Sequence, residues 1–374
     1  MLGLYIHIPF CRHICHYCDF YKMVVSKSFQ KKYIKALLEE MKLKKLDSYK
    51  FDTLYIGGGT PSCLEYDDLI TLLDELSKLV NLSSLKEFTV EVNPEDISDL
   101  LLKSFVKYHV SRISMGIQSF NPRIIETLGR HLYFSFDEIK NKIDLIKKYN
   151  ITNINCDLIY AVADETLEEV MDDVSKFMGL GITHISTYSL ILEEHTVLYK
   201  WYTDKKFSLT SENLDALMYQ NIIDKLKASG FIHYETSNFA VQGYESKHNL
   251  LYWNCDEYIG LGAGAASYLN HKRYANVRNI EKYYDGLSKH NLILDDVEDL
   301  SLDDEKEYEV ILGFRRLEGI SKSSFYQKYS ISIIDAFPNI SKLIDEGLLE
   351  ENNEYIKIPE KYSYIANHII VKII

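Results

Sequence analysis

Cys11, Cys15 and Cys18 lie in the run Tyr5-Ile-His-Ile-Pro-Phe-Cys-Arg-His-Ile-Cys-His-Tyr-Cys-Asp-Phe20, directly after a short apolar segment, Leu4 to Ile8. The spacing is C-x3-C-x2-C. Three thiolates on one tight loop can hold a metal centre and leave a coordination position open. On a [4Fe–4S] cluster, three cysteine ligands in place of four leave one iron free to bind another molecule. A structural zinc site is the plainer chemistry, with His7, His13 or His16 as fourth ligand. The spacing is uncommon for zinc, and Cys63, Cys156 and Cys255 are isolated in the sequence. The cluster is therefore the expected occupant.

A second chemical signal is Gly57-Gly58-Gly59-Thr60-Pro61. Glycine lets backbone approach a ligand closely and turns N–H groups toward it. The Lys-Ser/Thr pair of a phosphate loop is missing, and so is G-x-G-x-x-G. Alone, a triple glycine after a strand is usually a turn.

Alternating apolar and amphipathic segments must position these groups. Strands are expected at Leu4–Ile8, Thr53–Ile56, Glu87–Val92, Arg112–Gly116, Asn153–Ile159 and His184–Leu190. Helices are expected at Ser26–Lys45, Tyr66–Leu79, Asp96–Tyr108, Phe136–Tyr149 and Thr166–Met178, with Asp96 and Ser98 as caps. Successive βα units argue for a parallel sheet with helices outside, closing into a full or partial barrel. Functional residues then lie at the C-terminal ends of the strands. The cysteine loop, the glycine run, Asn93, Glu95 and Gln118 all fall there. The polar, acidic stretch 276–304 reads as a linker, and 305–374 as helices with a small β-hairpin, a winged-helix-like module.

The 374 residues carry a formal charge of −13, which argues against nucleic-acid binding. No run of about 18 apolar residues exists, so no integral membrane segment is expected and any membrane association would be peripheral. The cysteine loop comes so early that no signal or transit peptide is expected. Six scattered or clustered cysteines suit a reducing, cytoplasmic compartment with one metal site better than a disulfide framework.

The cysteine loop with the glycine run resembles the radical S-adenosylmethionine (SAM) superfamily. In that family the open iron binds the amino and carboxylate groups of SAM, and one electron cleaves SAM to a 5′-deoxyadenosyl radical. The resemblance narrows at Glu91-Val-Asn-Pro-Glu95, Arg112-Ile-Ser-Met-Gly-Ile-Gln-Ser-Phe-Asn121, Leu128-Gly-Arg-His131, Asp157-Leu-Ile-Tyr160, Tyr234-Glu-Thr-Ser-Asn-Phe-Ala240 and Gly260-Leu-Gly-Ala-Gly264. Together these are similar to the oxygen-independent coproporphyrinogen III oxidase group. The resemblance implies a partial (β/α)6 TIM-like radical SAM barrel over 1–275, holding both cluster and SAM, with the small α+β domain at 305–374. It implies SAM contacts at Tyr5, Tyr17, Gly58, Gly59, Thr60, Glu91, Gln118, Arg130 and Asp157.

Two subgroups divide on one position. The oxidases carry a fourth cysteine two residues after the third, and an N-terminal arm. Here that position is Phe20 and no arm precedes the loop. This is similar to the HemW-type heme chaperones, which bind heme and pass it to acceptor proteins. His248-Asn-Leu-Leu-Tyr-Trp253 matches their H-N-x-x-Y-W pattern, and the resemblance makes His248 a heme-iron ligand with Tyr252 and Trp253 stacking on the porphyrin. Read without it, Tyr252 and Trp253 are core packing and His248 is a hydrogen-bonded loop residue. Coproporphyrinogen decarboxylation and a zinc-binding α/β protein are the alternative readings. Two departures stand out: Tyr160-Ala-Val-Ala-Asp164, where the family has Tyr-Gly-Leu-Pro-Gly, and Ala266, where a histidine is common.

Overall fold

A computed structural model describes residues 1–374. Its largest feature is one mixed sheet of 12 strands. In chain order they are β1 (Leu2–Ile8), β2 (Thr53–Gly58), β3 (Glu87–Val92), β4 (Arg112–Gln118), β5 (Asn153–Tyr160), β6 (His184–Ser189), β7 (Ile232–Glu235), β8 (Asn238–Ala240), β9 (Glu257–Leu261), β10 (Ala266–Leu269), β11 (Lys272–Asn276) and β12 (Leu294–Asp299). The central order β9-β1-β2-β3-β4-β5-β6 is parallel throughout. Antiparallel strands extend both edges, β10-β11-β12 on one side and β8-β7 on the other. The edges do not meet, so the barrel is partial.

Strand alternation explains how this sheet is both buried and polar. Leu4, Ile6 and Ile8, Leu54 and Ile56, Phe88 and Val90, and Ile113 and Met115 face the outer helices and are fully or almost fully buried. They form the main core of 62 residues. The residues between them, including Tyr5, Tyr55, Glu91, Ser114 and Asp157, face the barrel interior because successive strand side chains point to opposite faces. The outer helices start where capping side chains allow. Ser26, Ser98, Ser135 and Thr166 each accept a hydrogen bond from the first turn, and Ser135 and Thr166 complete capping boxes with Glu138 and Glu169.

The six expected strands form within two residues of their expected limits, and so do four of the five expected helices. The third helix differs. It runs from Asp99 to Lys107 with Ser98 as its cap, after a separate 3-10 turn at Pro94–Asp96. Asp96 caps nothing there. Its carboxylate ties Arg12 of the cysteine loop and Ser62 of the turn after the glycine run. The segment 276–304 is also not a free linker. Its helix Ile280–Ser288 sends Tyr283, Tyr284 and Leu287 into the main core, and β12 pairs with β11. The acidic residues that suggested a linker are the exposed side chains of an edge strand.

Residues beyond Ser301 build a second core of 14 residues, including Val310, Phe314, Phe325 and Ile356. The order is helix Leu302–Gly313, β13 (Ile320–Ser321), three short helices, a hairpin of β14 (Glu350–Glu351) and β15 (Tyr355–Lys357), and helix Ala366–Ile373. This helix–strand–helices–hairpin succession is winged-helix-like. It docks on the barrel through the Glu360 carboxylate, which meets His233 and Lys227. Backbone bonds add Thr236 N–H to the Arg315 carbonyl and Leu317 N–H to the Tyr234 carbonyl. No helix is long and apolar enough to cross a membrane.

Candidate cluster and SAM site

The cysteine loop leaves the C-terminal end of β1 and is pinned on several sides. Cys11 N–H donates to the Met23 carbonyl at 3.0 Å, and Met23 N–H returns to Pro9 at 2.7 Å. His16 N–H donates to the Leu128 carbonyl at 2.9 Å, and its ring Nδ1 lies 3.1 Å from the Thr127 carbonyl. A Cβ on Gly129 would fall 2.4 Å from the His16 ring, at a backbone φ of +66°. The glycine of Leu128-Gly-Arg130 is thus needed for the loop to seat. Cys11, Cys15 and Cys18 remain free and half-buried. Burial pushes the Cys11 thiol up to about 11. No three His, Cys, Asp or Glu side chains converge on a point that one ion could occupy. Of the expected fourth zinc ligands, only His7 has both ring nitrogens engaged. His7 bridges the Tyr5 hydroxyl and the Tyr21 carbonyl, His16 meets Thr127, and His13 stacks on His131. A set of three free cysteines matches a cluster that leaves one iron open better than a four-ligand structural zinc site.

The glycine run passes directly beside this loop. Gly59 N–H donates to Ile8 and Thr60 N–H to Phe10, at 2.9 and 2.7 Å. The Thr60 hydroxyl donates to the Cys11 sulfur at 3.7 Å and accepts from Asn93 Nδ2 at 3.3 Å. A Cβ on Gly58 would lie 2.4 Å from the His7 ring, at φ +113°. Gly58 instead offers its N–H to Glu91 Oε2 at 2.9 Å, while Tyr55 OH donates to Glu91 Oε1 at 2.7 Å. Burial still pushes the Glu91 carboxyl up to about 7.

Inside the barrel mouth lies a cavity of about 530 Å³. Tyr17, Cys18, Phe20, Glu91, Gln118 and Asp157 line it, together with Arg315 and Tyr364 from the C-terminal part of the chain. Gln118 has a left-handed φ of +76°, unusual for a side chain with a Cβ, and its buried Oε1 has no partner. Asp157 accepts from Asn155 at 2.8 Å, and burial raises its pKa. Arg130 donates to the Gly116 carbonyl at 2.7 Å and to Asn93 at 3.2 Å. The cavity therefore holds two buried carboxylates, Glu91 and Asp157, and one acceptor without a donor, Gln118 Oε1. It suits a ligand that brings an ammonium, a sulfonium and hydroxyl donors, as SAM does.

The structure brings Tyr5, Tyr17, Gly58, Glu91, Gln118 and Asp157 to the mouth beside Cys18, with Gly59, Thr60 and Arg130 fixed behind them. It does not bring His248 there. That residue is 1% exposed, its Nδ1 lies 2.8 Å from the Thr53 hydroxyl, and its Nε2 lies 2.9 Å from the Tyr252 hydroxyl. Burial lowers its pKa to about 3. With both nitrogens committed, His248 has no lone pair free for iron in this arrangement. Phe20 is the opposite case, 65% exposed at the lip of the cavity. The sequence reading passed over Tyr55 and Arg112. Arg112 is 1% exposed, lines the cavity, and has a buried Nε without a partner. The signal was available: both sit on the polar phase of strands whose other phase is apolar.

The radical SAM superfamily description matches residues 5–177, and the HemN C-terminal domain description matches residues 300–361. The chain is 38% identical to the heme chaperone HemW of Lactococcus lactis, over 98% of this chain and 96% of that protein. It is 34% identical to the heme chaperone HemW of Bacillus subtilis, over 99% and 98% of the two chains. Among solved structures, coproporphyrinogen III oxidase (HemN) from Escherichia coli superposes with a TM-score of 0.83 at 21% identity. It covers 100% of this chain and 89% of that one, a likeness of fold.

Proposed function

The chain belongs to the HemW family of heme chaperones and carries that family's radical SAM domain, and from this premise we propose that it binds heme and delivers it to acceptor proteins. The observation that carries the reading is the near full-length likeness to HemW proteins, joined to Phe20 at the position where the oxidases place a fourth cysteine. We assign a [4Fe–4S] cluster to Cys11, Cys15 and Cys18. When bound, such a cluster supplies a low-potential electron and an open iron.

The remaining roles belong to the protein. Gly58, Gly59 and Thr60 supply a close backbone edge beside Cys11 for the amino acid end of SAM. Glu91 and Asp157 accept from ammonium or ribose hydroxyls, and Gln118 Oε1 gains the donor it lacks. Arg130, held by Gly116 and Asn93, is preset near Cys15 and Tyr17. Tyr5 and Tyr17 wall the cavity, and residues 305–374 shield it from water. Free half-buried thiols suit the reducing cytoplasm, where we place the protein.

The test uses anaerobically reconstituted protein. Heme titration followed by mixing with an apo heme protein should show specific binding and then transfer. Failure of the wild type to bind heme overturns the reading. A parallel incubation with SAM, reductant and coproporphyrinogen should give no protoporphyrinogen; its formation would establish the oxidase instead.

A further inference from the structure

A second cavity, of about 320 Å³, opens on the lumen-facing side of the sheet extension formed by β9, β10 and β11. Its walls are mostly hydrophobic, and six of the thirteen lining residues are aromatic. Tyr252 and Trp253 come from the end of the helix Lys247–Trp253, Tyr258 and Tyr268 from β9 and β10, and Tyr308 from the helix Leu302–Gly313 of the second core. We propose that this cleft is the heme seat, with the Cys255 sulfur as the iron ligand and Arg273 holding a propionate. The inference rests on the chaperone reading and gives that reading a place in the fold.

Ligand chemistry narrows the choice of iron ligand. No histidine lines the cleft, and the nearest motif histidine, His248, has both ring nitrogens engaged. Cys255 does line it, and is partly exposed. It sits just past the helix end at a left-handed φ of +52°, held by its N–H to the Tyr252 carbonyl at 3.1 Å. Ala266 lines the same cleft. The small side chain leaves space there. A cysteine thiolate is an established type of heme-iron ligand. On binding ferric iron the thiol releases its proton to water, with no change of oxidation state.

Recognition of the porphyrin edge follows from unpaired donors. Arg273 makes no ion pair; its guanidinium lies 4.3 Å above the Tyr308 ring. A cation at the rim of an aromatic slot matches a carboxylate on a flat apolar ligand. Trp253 Nε1, in the wall of the same cleft, is buried without a partner. The cleft admits part of a porphyrin and leaves the rest outside, which suits a cargo that must be handed on. Tyr5 walls both this cleft and the opening beside Gly58 and Glu91. One side chain thus separates the heme seat from the SAM site.

The experiment titrates ferric heme into full-length reconstituted protein and reads absorption, electron paramagnetic resonance, and cluster iron and sulfide. Wild type should show thiolate-ligated ferric heme. Cys255→Ser should lose that signature and weaken binding at least tenfold, and Arg273→Gln should weaken binding severalfold while keeping the signature. Ala266→Trp, which fills the cleft and leaves Cys255 in place, should block binding. All three should retain the cluster. Heme bound with unchanged affinity and spectrum in Cys255→Ser and Ala266→Trp would move the seat elsewhere and leave the chaperone reading intact. A wild type that binds no heme would overturn both.

Discussion

At the scale of single residues, the cysteines divide by their surroundings. Cys11, Cys15 and Cys18 are half-buried on a loop that nothing but its backbone and neighbouring side chains holds in place, whereas the Cys63 thiol is buried and donates to the Phe10 carbonyl at 3.3 Å. Cys11→Ala should therefore abolish cluster retention, and Cys63→Ala should keep it, as read by iron and sulfide content after anaerobic reconstitution. Glu91 carries a separate prediction. Its carboxyl is raised from 4.5 to about 7, chiefly by burial. Between those values the folded chain holds a proton that the unfolded chain has lost. Stability of the ligand-free protein should then fall as pH rises through that window. Glu91→Gln should flatten the slope in thermal melts at stepped pH; an unchanged slope would rule out Glu91 as its source. The same substitution removes a charge-assisted acceptor, so SAM affinity should drop about ten- to a hundredfold by calorimetry.

At the scale of elements, the strand-to-loop junctions do the positioning. Gly58 ends β2 in a conformation that a side chain rarely adopts, with His7 where a Cβ would go. Gly58→Ala should cost about 2 kcal/mol or more and weaken SAM binding together, because the strained junction is also the proposed ligand edge. Melting temperature and SAM titration check the two effects. The strands and helices themselves were legible in the sequence, because their apolar phases repeat at clean periods and serine or threonine caps mark the helix starts. Asp96 was not. Its chemistry suits a cap, and only the approach of Arg12 and Ser62 from two other loops turns it into a tie. The 276–304 segment misled for a related reason: an edge strand that faces water on its exposed side has the polarity of a linker.

At the scale of the whole molecule, the C-terminal part docks beside the barrel mouth and contributes Arg315 and Tyr364 to the cavity wall. Glu360 joins the two parts by meeting His233 and Lys227, and the His233 hydrogen bond holds its carboxyl low, at about 2. The stabilising contribution is present above the ordinary carboxylate range and is lost as pH falls from about 4.5 toward 2. Acidification through that window should loosen the docked domain before the barrel melts, seen as earlier proteolytic cutting between residues 299 and 320. Glu360→Gln should show the same loosening at neutral pH.

The sequence alone determined the parallel βα architecture through its period-2 and helical apolar patterns, and its C-x3-C-x2-C spacing is what proposes Cys11, Cys15 and Cys18 as cluster ligands, with the glycine run proposed as the SAM edge through the family resemblance. It could not decide which faces meet. His248 carries the chemistry of an iron ligand, yet the barrel floor places Thr53 and Tyr252 against its two nitrogens. Arg112 and Tyr55 look like ordinary strand residues until the sheet curls and turns their phase inward. Cys255, Ala266, Arg273 and Tyr308 come from separate segments and form a cleft only when the second core docks. Ligand spacing is a local property of the chain, whereas burial and orientation are set by which distant segments pack together, and that is decided in three dimensions.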